Sequence, residues 1–533
     1  VHGTEATINT ELLERALEEV EGAKLCVHRN GLSYRPRKFH VLTGLGPGHN
    51  LGVFHNNVDA IGKAFLERYF MCAEGQGFRP ALPVTRNFES AHLQEFRRVV
   101  IENMHQLPRL SRQQVVDRYS GRKFAIYDNA NKSLCSKSFT HKDSRLTSFV
   151  KFEKQDVGKA PRIINPRTPR FNLLLGQYLK HAEKPFFKAI NVAYGDHTAA
   201  TVIKGFNADK SAAILFEKWN RFRKPCAVGL DATKFDMHVS EDALRYEHSF
   251  YHALFPGSGG RKLRALLRMQ LRNSGHAHAS DGRIDFAMRG TRASGDLNTS
   301  LGNCIIMCAL VHVYARSRGV DIELANNGDD CVVFMASDDE TAFRRGLDDW
   351  FRARGFAMVA EPTVYEFEQV EFCQTHPVKL IHGWRMVRNH LACLRKDPMC
   401  LIPISNEKAL RKWVKAVGEC GTQLAGSVPV QGSFYNAFER AAGPLRVRSR
   451  HRDEIFRNTS MQMRVQGIKS LPRMVTPESR VSYYYAFGIL PSEQEELERF
   501  YDQGTIDLAM PESVVTRDAV RFEPGLISLL QYV

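Results

Sequence analysis

Two β-prone runs, residues 322–325 and 331–335, flank Asn326-Asn327-Gly328-Asp329-Asp330. Asn-Gly and Gly-Asp are turn chemistry, so this segment predicts a hairpin with carboxylates at its tip. Alone it is weak evidence, because such turns are common. It gains weight from residues 227–231, an apolar extended run that also ends on an acid, Asp231. Laying the hairpin beside the end of that strand would bring Asp231, Asp329 and Asp330 to one point, on an antiparallel sheet.

The surrounding segments read clearly. Ser240 followed by Glu241 and Asp242 predicts a helix start, with acids at the positive end of the dipole. Val239, Ala243, Tyr246, Phe250 and Leu254 follow at helical spacing. Residues 299–314 are mostly apolar and read as a buried helix. Residues 338–354 predict one helix with Phe343, Leu347, Trp350 and Phe351 inward, stopped by Gly355, and 356–360 a strand. Nearer the start, 10–20 reads as an amphipathic helix and 44–52 as a loop. The last third turns helical: Thr476-Pro477 is a cap with Pro at the first helical position, and Ser492 with Glu495 reads as a capping box.

At 533 residues, with 43% hydrophobic and 25% charged residues, two or three packed units are expected and wholesale disorder is excluded. Lys and Arg number 74 against 58 Asp and Glu, a net +16. That excess suits a polyanion, since each neutralised phosphate releases a counterion, and equally an anionic membrane surface. The eleven cysteines include no Cys-x-x-Cys pair, which reads as a reduced, intracellular protein. Cys304, Cys308 and His312 share one helical stripe, read as core-facing rather than as a zinc site. No apolar run reaches a membrane span. The chain starts at Val1 rather than Met, so membrane contact is expected only through sequence upstream.

The acids belong to a larger ordered set: Asp231-Ala-Thr-Lys-Phe-Asp236, then Arg292-Ala-Ser-Gly-Asp-Leu-Asn-Thr-Ser-Leu-Gly-Asn303, then Gly328-Asp329-Asp330. Carboxylates from separate elements are what an in-line phosphoryl transfer needs. Two Mg²⁺ ions about 3.5–4 Å apart stabilise the attacking and leaving oxygens, and Mg²⁺ takes hard oxygen ligands. These segments resemble motifs A, B and C of the palm of viral RNA-dependent RNA polymerases. They are most similar to tombusvirus-like replicases of plus-strand plant RNA viruses. The resemblance is strong over about 150–374 and looser in the flanks.

The resemblance implies roles for matching residues. Asp231 and Asp329 would bind two Mg²⁺ (Mn²⁺ able to substitute), with Asp330 nearby and less direct. Asp236, Ser294, Thr299 and Asn303 would surround the incoming ribose. Hydrogen bonds to a 2′-OH favour ribonucleotides, because a deoxy analogue leaves buried polar groups unpaired. Residues 151–167 resemble motif F, with Lys151, Lys159 and Arg162 over the triphosphate. Gly295 would lie near the template. Phe372, Cys373 and Gln374 fall in a motif E-like turn at the primer end, and 119–123 resembles a motif G template loop. Many relatives place a lysine in motif D to protonate pyrophosphate. None occurs here between Asp338 and Val378, leaving Arg352, Arg354 or His376; arginine is a poor general acid.

The expected fold is α+β, a right hand: fingers with an N-terminal extension (1–225), palm (226–240), a fingers insertion (241–284), palm again (285–375) and a mostly helical thumb (376–533). The Arg446, Arg448, Arg450, Arg452 and Arg457 cluster would touch nucleic acid backbone. Expected partners are RNA template and product, NTPs, a viral auxiliary replication protein and host factors, in a membrane-associated replication complex of the host cytoplasm. A reverse transcriptase shares the carboxylates but places a bulky group where Asp236 stands. A non-catalytic RNA-binding scaffold would not need an array of repelling acids.

Overall fold

A computed structural model describes residues 2–46, 51–196, 200–445, 461, 465–468 and 473–508. The fold is α+β, as expected. Its central sheet has four antiparallel strands in the order Glu323–Asn327, Asp330–Ala336, Pro225–Ala232, Met358–Ala360. Strand side chains alternate between faces. Cys226, Val228, Leu230, Val333 and Met335 enter one core, shared with helices Glu241–Leu254 and Thr299–Arg318. Ala227, Val332 and Phe334 enter another, with helix Ala208–Asn220 and the hairpin Thr375–Leu380/Gly383–Arg388. Burial on both faces is why these strands read as continuous apolar runs.

The alternation has a consequence at the sheet end. Cys331 pairs with Leu230, so Asp231 and Asp330 are neighbours on the second face. Gly229 precedes them there. A Cβ at Gly229 would fall 1.9 Å from Glu361 Oε2, so glycine makes room for that carboxylate.

Helix Thr299–Arg318 is apolar around its circumference and runs through the core; Cys304 and Cys308 are buried in it. The ring of His312 packs against Phe96 and Tyr194. Ser240 caps helix Glu241–Leu254 by accepting from the Ala243 N–H, as its sequence predicts.

A second sheet has five strands: Lys24–Arg29, Gly282–Arg289, Arg272–Ala279, Leu146–Val150 and Ile163–Ile164. It joins the N-terminal chain to strands far along the sequence. Residues 241–284, read as one insertion, therefore divide: their first helix packs against helix Thr299–Arg318 in the core that the central sheet shares, whereas 272–284 joins the second sheet. The strand Gly282–Arg289 runs through the 284/285 boundary read from the sequence.

Several expectations need correction. The helix expected over 338–354 is broken. A 3-10 turn, Ser337–Asp339, leads into Glu340–Arg344, then Arg345 is extended and Gly346 left-handed (φ 66°) before Leu347–Arg352. The break still lets Phe343, Leu347 and Phe351 reach the core. The last long helix starts at Pro491, not after Ser492, and Glu493 rather than Glu495 reaches back, accepting from the Leu490 N–H at 2.8 Å. The loop expected over 44–52 ends in a strand, Leu51–Gly52, paired with Gln155–Asp156. Residues 121–123 begin helix Gly121–Ser136 rather than forming a free loop; Tyr119 stacks on Tyr127 at 4.2 Å.

After the 375–388 hairpin the described residues are mostly helical, with Glu407–Ala425, Gln431–Ala442, Pro477–Phe487 and Pro491–Gln503 around a shared core. The arginine cluster at 446–457 lies outside the described residues. Among the described residues no helix is long and apolar enough to cross a membrane.

Candidate active site

The hairpin tip carries Asp329 after Gly328 (φ 83°), and Asp330 opens the next strand. Burial pushes the Asp329 carboxyl up to about 6, and the charges of Asp236, Asp330 and Asp231 add to it. Asp329 is nevertheless reached by solvent, because it faces an open cleft deep in the fold. Asp330 is also raised, by burial and then by Asp231 and Glu371, against a lowering contact from the Cys373 thiol at 3.7 Å. Glu361 is raised by burial, then by Glu371, Asp231 and Asp330. Six carboxylates are thus linked by their charges, and Glu371 also lies 3.6 Å from the His376 ring.

This donor set suits a hard divalent cation, which would relieve the repulsion. Among the described residues no three His, Cys, Asp or Glu side chains form a ready-made cation cage.

The cleft, about 610 Å³ counted out into open solvent, is lined by Arg68, Tyr69, Arg162, Lys234, Asp236, Ser294 and Asp329 among others. Ser294 Oγ donates to Asp236 Oδ2. Asn303 Nδ2 donates to Asp236 Oδ1 at 3.2 Å. Asn303 Oδ1 accepts from Arg292 Nε at 2.9 Å, and Arg292 is paired with Glu247 at 2.6 Å, both fully buried. Thr299 is not in this network: its hydroxyl donates to the Ala293 carbonyl at 3.0 Å, which holds the loop before Ser294. Gly295 (φ 132°) packs its backbone on Asn165 and Pro166, where a Cβ would come within 3.1 Å. It is exposed.

Of the basic residues read from the sequence, Arg162 lines the cleft opposite the acids. Arg162 and Lys151 both lean on Glu153, at 3.3 and 2.6 Å. Lys159 is exposed on the turn between them. Lys154 points elsewhere, donating to the Lys396 carbonyl.

The turn before Thr375 holds Cys373 (φ 53°) and Gln374 (φ 59°) beside the acid hairpin. Asn327 Nδ2 donates to Cys373 Sγ at 3.1 Å, and Phe372 is buried beneath. None of the three proton-donor candidates lines the cleft. Arg354 lies over the Trp350 ring at 3.5 Å, Arg352 pairs with Asp348 at 2.7 Å, and His376 Nδ1 bonds the Glu368 carbonyl at 3.1 Å.

Three cleft residues escaped sequence reasoning. Lys234 sits inside the first acidic motif in a left-handed conformation (φ 46°), its amine lowered by burial and donating to the Glu67 carbonyl. Arg68 grips the basic loop from behind, through the carbonyls of Ala160 and Pro161. Tyr69 donates to Ser294 Oγ at 2.9 Å. Only Lys234 had a signal available, its place between Asp231 and Asp236.

Residues 25–509 match the family model described as viral RNA dependent RNA polymerase. The chain is similar to the RNA-directed RNA polymerase of Tobacco necrosis virus (strain A), 38% identical over 92% of this chain and 67% of the relative. For that of Tomato bushy stunt virus (strain Cherry) the figures are 40%, 85% and 54%. For that of Turnip crinkle virus they are 38%, 87% and 60%. This chain therefore spans about two thirds or less of these relatives' lengths. With the match running through the acid-bearing sheet, the cleft and most of the helical region beyond, the chain belongs to the viral RNA-dependent RNA polymerase family.

Proposed function

We propose that this chain extends an RNA strand along an RNA template by nucleotidyl transfer from NTPs. The observation that carries the reading is a cleft lined by Asp329, Asp236 and Ser294, with Asp231 and Asp330 near enough for their charges to act on the Asp329 carboxyl. Asp231 and Asp329 hold two Mg²⁺ (Mn²⁺ able to substitute), with Asp330 alongside. Bound there, the ions supply stabilisation of the attacking 3′ oxygen and the departing pyrophosphate. Arg162, with Lys159, Lys151 and Arg68 near it, offsets charge on the triphosphate. Asp236 accepts from the ribose 2′-OH. Thr299 acts from behind, fixing the Ser294 loop. Gly295 meets the template; Phe372, Cys373 and Gln374 support the primer end. In right-hand terms the four-stranded sheet is the palm, the five-stranded sheet belongs to the fingers and the helical region beyond 376 to the thumb.

By the same reading, the protein works in a membrane-associated replication complex of the host cytoplasm, with a viral auxiliary protein and host factors. The test is template-dependent incorporation by wild type and Asp329→Ala, with NTPs and with dNTPs. Incorporation of NTPs that is lost in Asp329→Ala supports the reading. Equal signal from both proteins contradicts it, and equal use of dNTPs returns the reverse transcriptase alternative.

A further inference from the structure

Tyr69 belongs to a π-helical turn, Leu66–Phe70, that closes helix Val58–Phe65. Turns of this kind re-aim side chains and concentrate at functional sites. This one sends Arg68 to the carbonyls behind the basic loop and Tyr69 to Ser294, while its Glu67 carbonyl receives Lys234. One short turn, some 160 residues or more before Asp231 and Ser294, therefore braces both walls of the cleft.

The hydrogen-bond directions are determined by chemistry. Guanidinium only donates, so Arg292 holds the Asn303 amide with its oxygen inward and its NH₂ toward Asp236. Serine hydroxyl has one hydrogen and two acceptor positions. The Tyr69 phenol fills one acceptor position, and burial keeps that phenol protonated. The Ser294 hydrogen then goes to Asp236 Oδ2. Two donor chains converge on Asp236, one on each carboxylate oxygen, and both run toward it. Asp236 is left as a fixed acceptor whose remaining lone pairs face the cleft.

We propose that Tyr69 is a positioning residue for ribose selection: by directing the Ser294 hydroxyl it fixes Asp236 to accept from a 2′-OH. The proposal rests on the polymerase reading above. Removing the phenolic OH leaves Ser294 free to turn, and the advantage of a ribonucleotide over its deoxy analogue shrinks.

The experiment measures single-nucleotide incorporation on a primed RNA template by the full chain, for wild type, Tyr69→Phe, Ser294→Ala and the double variant. In Tyr69→Phe the NTP-over-dNTP ratio of kcat/KM is expected to fall about tenfold, the scale of one buried hydrogen bond. The fall comes from a raised KM for NTP, with kcat within about twofold. The double variant is expected to match Ser294→Ala alone, because Tyr69 acts through Ser294. Thermal unfolding checks that Tyr69→Phe is folded. Should it not be, Ser294→Ala breaks the same node from the half-exposed side and is expected to show the same loss. An unchanged ratio in a folded Tyr69→Phe, equal losses for NTP and dNTP, or additive effects in the double variant overturns the proposal. A wild type that incorporates no NTP instead fails the polymerase reading, and the proposal with it.

Discussion

Two neighbouring regions treat charge in opposite ways. At the hairpin tip, Asp329 and Asp330 gather beside Asp231, and both have their affinity for protons raised, in part by its charge. Under the Arg292–Asn303 segment, charges are buried more deeply but each is matched. Arg292 pairs with Glu247, Arg167 with Asp296 at 2.5 Å, and Tyr251 and Asn298 also donate to Glu247 at 2.7 Å. The second region is scaffold: its charges are neutralised internally and fix the geometry of Asn303 and Asp236. The first is left unbalanced, which costs stability, and on the proposed reading a bound cation would relieve it. A buried charge by itself does not mark the site; an unmatched one at a cleft does.

Substitutions in the two regions should separate activity from stability. The largest effect is on activity: Asp329→Ala is expected to reduce incorporation about 10³-fold or more, the scale of losing one electrostatic stabiliser of a transition state. Its thermal midpoint should stay level or rise, because repulsion is relieved. Glu247→Ala does the reverse. It strands a buried guanidinium and is expected to lower unfolding free energy by about 3–5 kcal/mol, read by denaturant titration. An Asp329→Ala protein less stable than Glu247→Ala would erase the distinction.

A smaller effect is its pH signature. Asp329 keeps its proton up to about pH 6 in the folded protein, against an ordinary 3.8. The unfolded chain releases that proton first as pH rises. The stabilisation is therefore complete below about 3.8 and is lost as pH rises through about 6. Buried His238 and His248, lowered to about 4, and His390, lowered to about 3, act oppositely: they remove stability as pH falls below 6.5. The difference between wild type and Asp329→Asn, without metal, isolates the first term. Stability of wild type relative to the variant should decline between pH 4 and 6; a flat difference contradicts the assigned coupling.

The same contrast explains what the sequence revealed. The hairpin, the acidic strand and the Ser240 cap were legible because alternation, turn residues and caps act over a few residues. Asp231 and Asp329 stood at ends of such elements, and Asp236 was reached through the motif resemblance. Tyr69 and Arg68 were not legible. Their partners lie 225 and 92 or more residues away, and no local period records such contacts. The break at Gly346 was missed because Phe343, Leu347 and Phe351 keep helical spacing on both sides of it. The Pro491 start was missed because Ser492 and Glu495 mimic a capping box, whereas Glu493 accepts from the Leu490 N–H.

On the proposed reading, Asp231 and Asp329 stand without cationic partners so that they can hold divalent ions. Mn²⁺ binding, followed by electron paramagnetic resonance with RNA and an NTP present, tests it most directly. The account predicts two ions per wild-type chain and loss of that binding in Asp231→Ala and Asp329→Ala, with the folded state retained. Undiminished Mn²⁺ uptake by both folded variants would contradict it.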